Sequence, residues 1–150
     1  MLDKGKGKMH IKIVKEYSES YCELVVTDNY KSVICVCDFL PNEKNEVLLS
    51  DTKISMLNAF FLDENPKINL VKDENKQNFK LSKKGLCGMS YSLRGEIVDA
   101  NKFILKVYDF YVSLEYLFSS EYVNPLEFIY KEGDWIELVV DRFDAVVSLN

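Results

Sequence analysis

Alternation of apolar and polar residues dominates this chain wherever its pattern is clear. It is most sustained from Ser90 to Glu115, where two β-rich runs meet at Asp99-Ala100-Asn101. A short polar turn between alternating runs predicts antiparallel pairing. Met9 to Glu16 sets Ile11 and Ile13 against Lys12, and Tyr21 to Thr27 and Lys31 to Phe39 follow around Asp28-Asn29. Residues 9–39 are therefore expected to form a three-stranded meander.

The segment Val47 to Leu62 fits two periods. Ile54, Leu57 and Phe61 have helical spacing, and a short helix or irregular cap after a brief strand is expected, ended by Asp63-Glu64-Asn65-Pro66. Ile68–Val71 and Phe79–Leu81 flank the polar run 73–78 and read as a short exposed hairpin or a mobile insertion. Strands resume at 89–98, 102–108 and 110–117. The apolar parity switches at Tyr108-Asp109, which predicts a bulge or sharp bend. Phe118 to Pro125 reads as a connection, and Pro125 to Tyr130 as a short helical turn. Glu132-Gly133-Asp134 turns the chain into a last strand with Ile136, Leu138 and Val140 inward and Trp135, Glu137, Val139 and Asp141 opposite. The expected fold is all-β and mainly antiparallel, a small OB-like or related β-barrel with at most one or two short helices.

The run Glu132-Gly133-Asp134-Trp135-Ile136-Glu137-Leu138-Val139-Val140 resembles the opening strand of small OB and S1-like barrels, Gly-Asp followed by alternating hydrophobics. Gly permits the turn, Asp caps it, and the alternation enters the wall. The resemblance implies a barrel and carries no activity with it.

At 150 residues the chain fits one domain able to bury a sizeable core, with residues 1–8 as a flexible basic leader and 9–150 as the domain. Nine Phe and nine Tyr make that core aromatic-rich. No apolar stretch follows the leader as a signal peptide requires, and none approaches a membrane span, so a cytoplasmic protein that binds no membrane is expected. Seventeen Lys against two Arg, with eleven Asn, suggest an AT-rich coding sequence and a low-GC bacterial source.

The net charge of −5 is unevenly placed: residues 85–150 carry eleven acids against five bases. That half repels phosphate backbones and favours a basic partner. The aromatics that could stack bases, Tyr108, Tyr111, Tyr116 and Trp135, sit among Asp109, Glu115, Asp134 and Glu137, so the cations that nucleic-acid binding requires are missing.

Cys35 and Cys37 share a strand face with Val33 and Phe39, and Cα atoms about 6.6 Å apart suit packing rather than chelation or a mutual disulfide. With Cys22 and Cys87 they read as reduced, metal-free thiols, and a lone His10 excludes a multi-histidine site. No nucleophile sits in an elbow, and Gly85-Leu86-Cys87-Gly88 leads into a strand rather than a helix, so it is no phosphate cradle. Asp109, inside an apolar stretch, is the best candidate acid, with an Asp accepting backbone N–H bonds at a bulge as the plainer reading. Arg94 reads as a surface partner of Glu96.

The expectation is thus a domain without catalytic residues, metal or cofactor, binding a basic protein through an acidic face. Its contact residues would be Trp135, Glu137, Asp141, Asp134, Tyr108 and Tyr111. An immunity-type or antitoxin-like partner of a basic toxin is the concrete form of that reading. An OB-like single-stranded nucleic-acid binder is the alternative, and a carboxylate enzyme the third.

Overall fold

The computed structural model describes residues 10–28, 31–39, 53–61, 66–72, 78–82, 90–119 and 129–148. The strands are β1 (His10–Glu16), β2 (Tyr21–Thr27), β3 (Ser32–Asp38), β4 (Lys53–Phe60), β5 (Asn69–Leu70), β6 (Asn78–Ser82), β7 (Ser90–Asp99), β8 (Ile104–Val107), β9 (Phe110–Ser113), β10 (Trp135–Val140) and β11 (Arg142–Ser148), with one helix among the described residues, α1 (Glu115–Ser119). The fold is all-β and mostly antiparallel. Ten strands run in the order β1-β2-β3-β11-β4-β9-β8-β7-β10-β5, with β6 attached to β7. The path is open, from β1 at one end to β5 at the other, and no pairing among the described residues closes it into the expected barrel.

Three antiparallel blocks make up this sheet: β1-β2-β3, β4 with β11, and the group around β7. Two short parallel seams join them. β3 meets β11 at a single register pair, Val36 with Asp144, and β4 meets β9 at Leu57 with Val112 and Asn58 with Ser113. One apolar cluster spans the blocks, including Leu24, Val33, Leu57, Leu93, Val112 and Phe143, so the inner faces of all three share a core. Polar contacts reinforce this. The Ile34 N–H donates to Tyr91 Oη at 2.8 Å, and Tyr91 packs on Phe143 with ring centroids 5.6 Å apart. Asp28 accepts the Lys31 N–H at 2.6 Å and the Asp109 N–H at 3.0 Å, tying the turn after β2 to the turn between β8 and β9.

The meander over residues 9–39 and the strands at 89–98 and 102–108 are found as expected, within a few residues. The helix or cap expected within Val47–Leu62 is instead a strand over its described part. β4 pairs with β11, and the register slips so that Val146 faces Met56 and Val147 faces Ile54, leaving Ser55 as an extra residue. That bulge spaces the buried Ile54 and Leu57 three apart, which imitates a helix. Residues 47–52 and 62 lie outside the described residues, as do most of the Phe118–Pro125 connection and of the helical turn expected over 125–130.

The hairpin expected from 68–71 and 79–81 is not formed. β5 pairs with β10 and β6 with β7, so the two short strands are separated in the sheet. The parity switch at Tyr108-Asp109 is the sharp bend of the two alternatives, a two-residue hairpin turn with Val107 opposite Phe110 and Tyr108 at a φ of 54°. The strand expected over 110–117 ends at Ser113, where α1 begins after Leu114. The last strand is followed by a further one, β11, after a corner at Asp141, whose N–H donates to the Phe60 carbonyl.

β7 carries the most neighbours. β10 lines one edge along Tyr91–Glu96, while the other is shared, first by β6 opposite Ser90–Arg94 and then by β8 opposite Glu96–Asp99. Gly95 stands at the exchange. A Cβ there would come within 2.6 Å of Val107 Cγ2 and 3.1 Å of the Lys106 carbonyl oxygen, so the close approach of β8 requires glycine.

Candidate functional site

Because β10 alternates, Ile136, Leu138 and Val140 are buried while Trp135, Glu137 and Val139 face outward, as the sequence predicts. Trp135 is neither part of the core cluster nor packed against it. Its turn is built as the Gly-Asp pair implies. Gly133 has a φ of 93°, the Asp134 carboxylate accepts the Lys131 N–H at 3.0 Å, and the Asp134 carbonyl accepts the Ile97 N–H at 2.8 Å. This fixes the start of β10 against the end of β7.

Register carries Trp135 into a row across four strands. Trp135 faces Glu96 on β7, Glu96 faces Lys106 on β8, and Lys106 faces Tyr111 on β9. Three strand spacings put the two aromatics about 14 Å apart. Lys106 Nζ lies 5.9 Å from the centre of the Tyr111 ring, and Tyr111 is exposed. The next row runs Asn69, Glu137, Arg94 and Asn78. Here Arg94 Nε donates to Glu137 Oε2 at 2.9 Å, across strands rather than along its own strand to Glu96 as expected.

Three of the six expected contact residues, Trp135, Glu137 and Tyr111, thus share one outward face. The others do not join them there. Asp134 is committed to its turn. Asp141 lies at the far end of β10, about 20 Å from Trp135 by strand rise. Tyr108 packs against the core from the β8–β9 turn. On the shared face Arg94 and Lys106 balance Glu96 and Glu137, so the negative charge is local rather than continuous. Sequence reasoning did not place Glu96 beside Trp135 on this face, although its place in the alternating Ser92-Leu93-Arg94-Gly95-Glu96 run is a usable signal.

The groups considered for chemistry are placed structurally. Cys22, Cys35 and Cys37 are buried thiols, with Cys22 opposite Cys37 in register, while Cys87 lies outside the described residues. Burial pushes the Cys35 thiol far up, and the neighbouring Cys37, Asp144 and Glu23 add to this. A thiol held protonated is a poor nucleophile and metal ligand. Asp109 lies in the hairpin turn with its N–H on Asp28, and it is Asp28 that takes the role of a carboxylate gathering backbone N–H bonds. Among the described residues, no three His, Cys, Asp or Glu side chains stand together to hold a metal ion. No helix among them is long and apolar enough to cross a membrane. Comparison of the chain with protein-family models, with curated proteins and with solved structures finds no match.

Proposed function

We propose that this chain is a non-enzymatic cytoplasmic module that binds a basic protein partner through the outer face of β10, β7, β8 and β9. The observation that carries the reading is Trp135, an indole on that face outside the core, in one row with the exposed Tyr111. Interface energy concentrates in such aromatics, while charge complementarity speeds encounter and selects partners. The net charge of −5, weighted to residues 85–150, favours a cationic partner. An immunity-type or antitoxin-like role, covering the basic active site of a toxin, is the concrete form of this function. The open sheet wrapped around one core fits a barrel-like scaffold of OB-like character for that face.

The test is a pull-down from source cells with wild type and with a Trp135→Ala, Tyr111→Ala double variant whose circular dichroism is unchanged. A basic protein recovered reproducibly with wild type and lost with the variant is expected. The same partners on both would sink the reading.

A second reading, single-stranded nucleic-acid binding, draws on the same row, because Trp135 and Tyr111 could stack bases. Arg94 and Lys106 are the cations on that face, and Arg94 is already paired, which leaves little to neutralise phosphates. Sub-micromolar binding of labelled single strands at physiological salt would reverse the order of the two.

A further inference from the structure

We propose that Trp135 and Glu96 together form a socket for one arginine side chain of the partner. This rests on the protein-binding reading above and names the group recognised. The two residues are direct cross-strand partners on the outward face of β10 and β7, the relationship that places Cβ atoms about 5 Å apart.

The face sorts its charges so that Glu96 is the carboxylate left to bind. Glu137, two residues along β10 from Trp135, is neutralised by Arg94 at 2.9 Å. Lys106, the other cross-strand neighbour of Glu96, stands over the Tyr111 ring. Among the described residues Glu96 has no ion pair, and the Trp135 indole belongs to no aromatic or cation contact. A half-buried carboxylate beside an uncommitted indole matches a guanidinium. Its plane stacks on the ring while its edge donates two parallel N–H bonds to the carboxylate. A lysine ammonium fits less well, being more strongly hydrated and without a planar fork.

Trp135 is the sole tryptophan of the chain, so its emission reports the socket directly. The probe is tetra-arginine amide, with tetralysine amide as comparator, titrated at low and physiological salt. A saturable change in Trp135 emission with tetra-arginine is expected, weakened about tenfold in Glu96→Gln and nearly unchanged in Glu16→Gln, on β1 at the other end of the sheet. Glu96→Lys should abolish it, and circular dichroism of each variant establishes that the sheet is intact. Equal binding of tetra-arginine by wild type and Glu96→Gln, equal binding of tetralysine, or no saturable change with wild type would each overturn the socket. These outcomes are separable from the broader reading. A basic protein still captured through Trp135 and Tyr111, but indifferent to Glu96→Gln, would leave that reading standing without the socket.

Discussion

The hydroxyl of Tyr91 on β7 accepts the backbone N–H of Ile34 on β3 at 2.8 Å, joining strands that lie five places apart in the sheet. It does so beside the β3–β11 seam, where among the described residues a single register pair is the only strand pairing between the first meander and the rest of the sheet. A side chain crossing the interior therefore satisfies a backbone group that the seam does not. Tyr91→Phe keeps the ring against Phe143 and leaves that N–H without its acceptor, a loss of about 1–3 kcal/mol. Urea unfolding measures it; an unchanged midpoint would mean that water reaches Ile34.

Asp28 should be less tolerant still. It is 8% exposed and its two oxygens serve two turns. Asp28→Ala is expected to cost about 2–4 kcal/mol, since two donors lose a charged acceptor. Asp28→Asn keeps one acceptor oxygen and should fall between. Equal stability of all three proteins would show that the two turns are not coupled through this carboxylate.

Gly95→Ala should destabilise by about 1–3 kcal/mol through overpacking against Val107. In a Gly95→Ala, Val107→Ala double variant the added methyl gains the space that valine leaves. The double variant should then be more stable than the sum of the single losses, and strict additivity would argue against the contact.

Alkaline stability follows from two raised groups. Burial lifts the Cys35 thiol above its ordinary 9.0 and is the main cause lifting the Tyr91 phenol above its ordinary 10.0. In both cases the folded protein keeps a proton that the unfolded chain releases. Stability should be level below about pH 9 and fall as pH rises beyond it, by up to about 1.4 kcal/mol per pH unit for each group. Cys35→Ala should lower stability at neutral pH yet flatten the slope between pH 9 and 10. An unflattened slope would assign the alkaline loss to other groups.

Thiol accessibility gives a fifth check. Cys22, Cys35 and Cys37 are 0%, 0% and 3% exposed, so a disulfide reagent should reach them only on unfolding. A Cys87→Ser variant isolates the three. Rapid labelling under native conditions would mean that β2 and β3 open readily.

How much of this was legible follows from where the alternation was interrupted. β2 was readable to the residue because nothing disturbs it, and β1 and β3 nearly so. Ser55 hid β4, since one extra residue in a strand turns a period of two into an apparent helical spacing. β11 was missed for a related reason: the chain turns at Asp141 without Gly or Pro, and the step from buried Val140 to buried Phe143 is the only trace of the corner. The separation of β5 from β6 could not be read at all, because it depends on pairings with β10 and β7 that local sequence does not encode. For the candidate site, Trp135, Glu137 and Tyr111 were placed correctly outward by parity. The pairing that joins Glu137 to Arg94 rather than Glu96 depends on register, which parity alone does not supply.

The two parallel seams also bear on how the chain is made. β11 lies between β3 and β4 in the middle of the sheet, yet its residues leave the ribosome after those of every other described strand. Until then the first meander and β4 have no neighbour in common, and the apolar faces meant for Phe143 and Ala145 stand open. Such non-local closure slows folding and prolongs exposure of strand edges. A nascent chain stalled before Arg142 should therefore be sensitive to protease and bound by chaperones, with protection arriving in a single late step as the central strand slides into place.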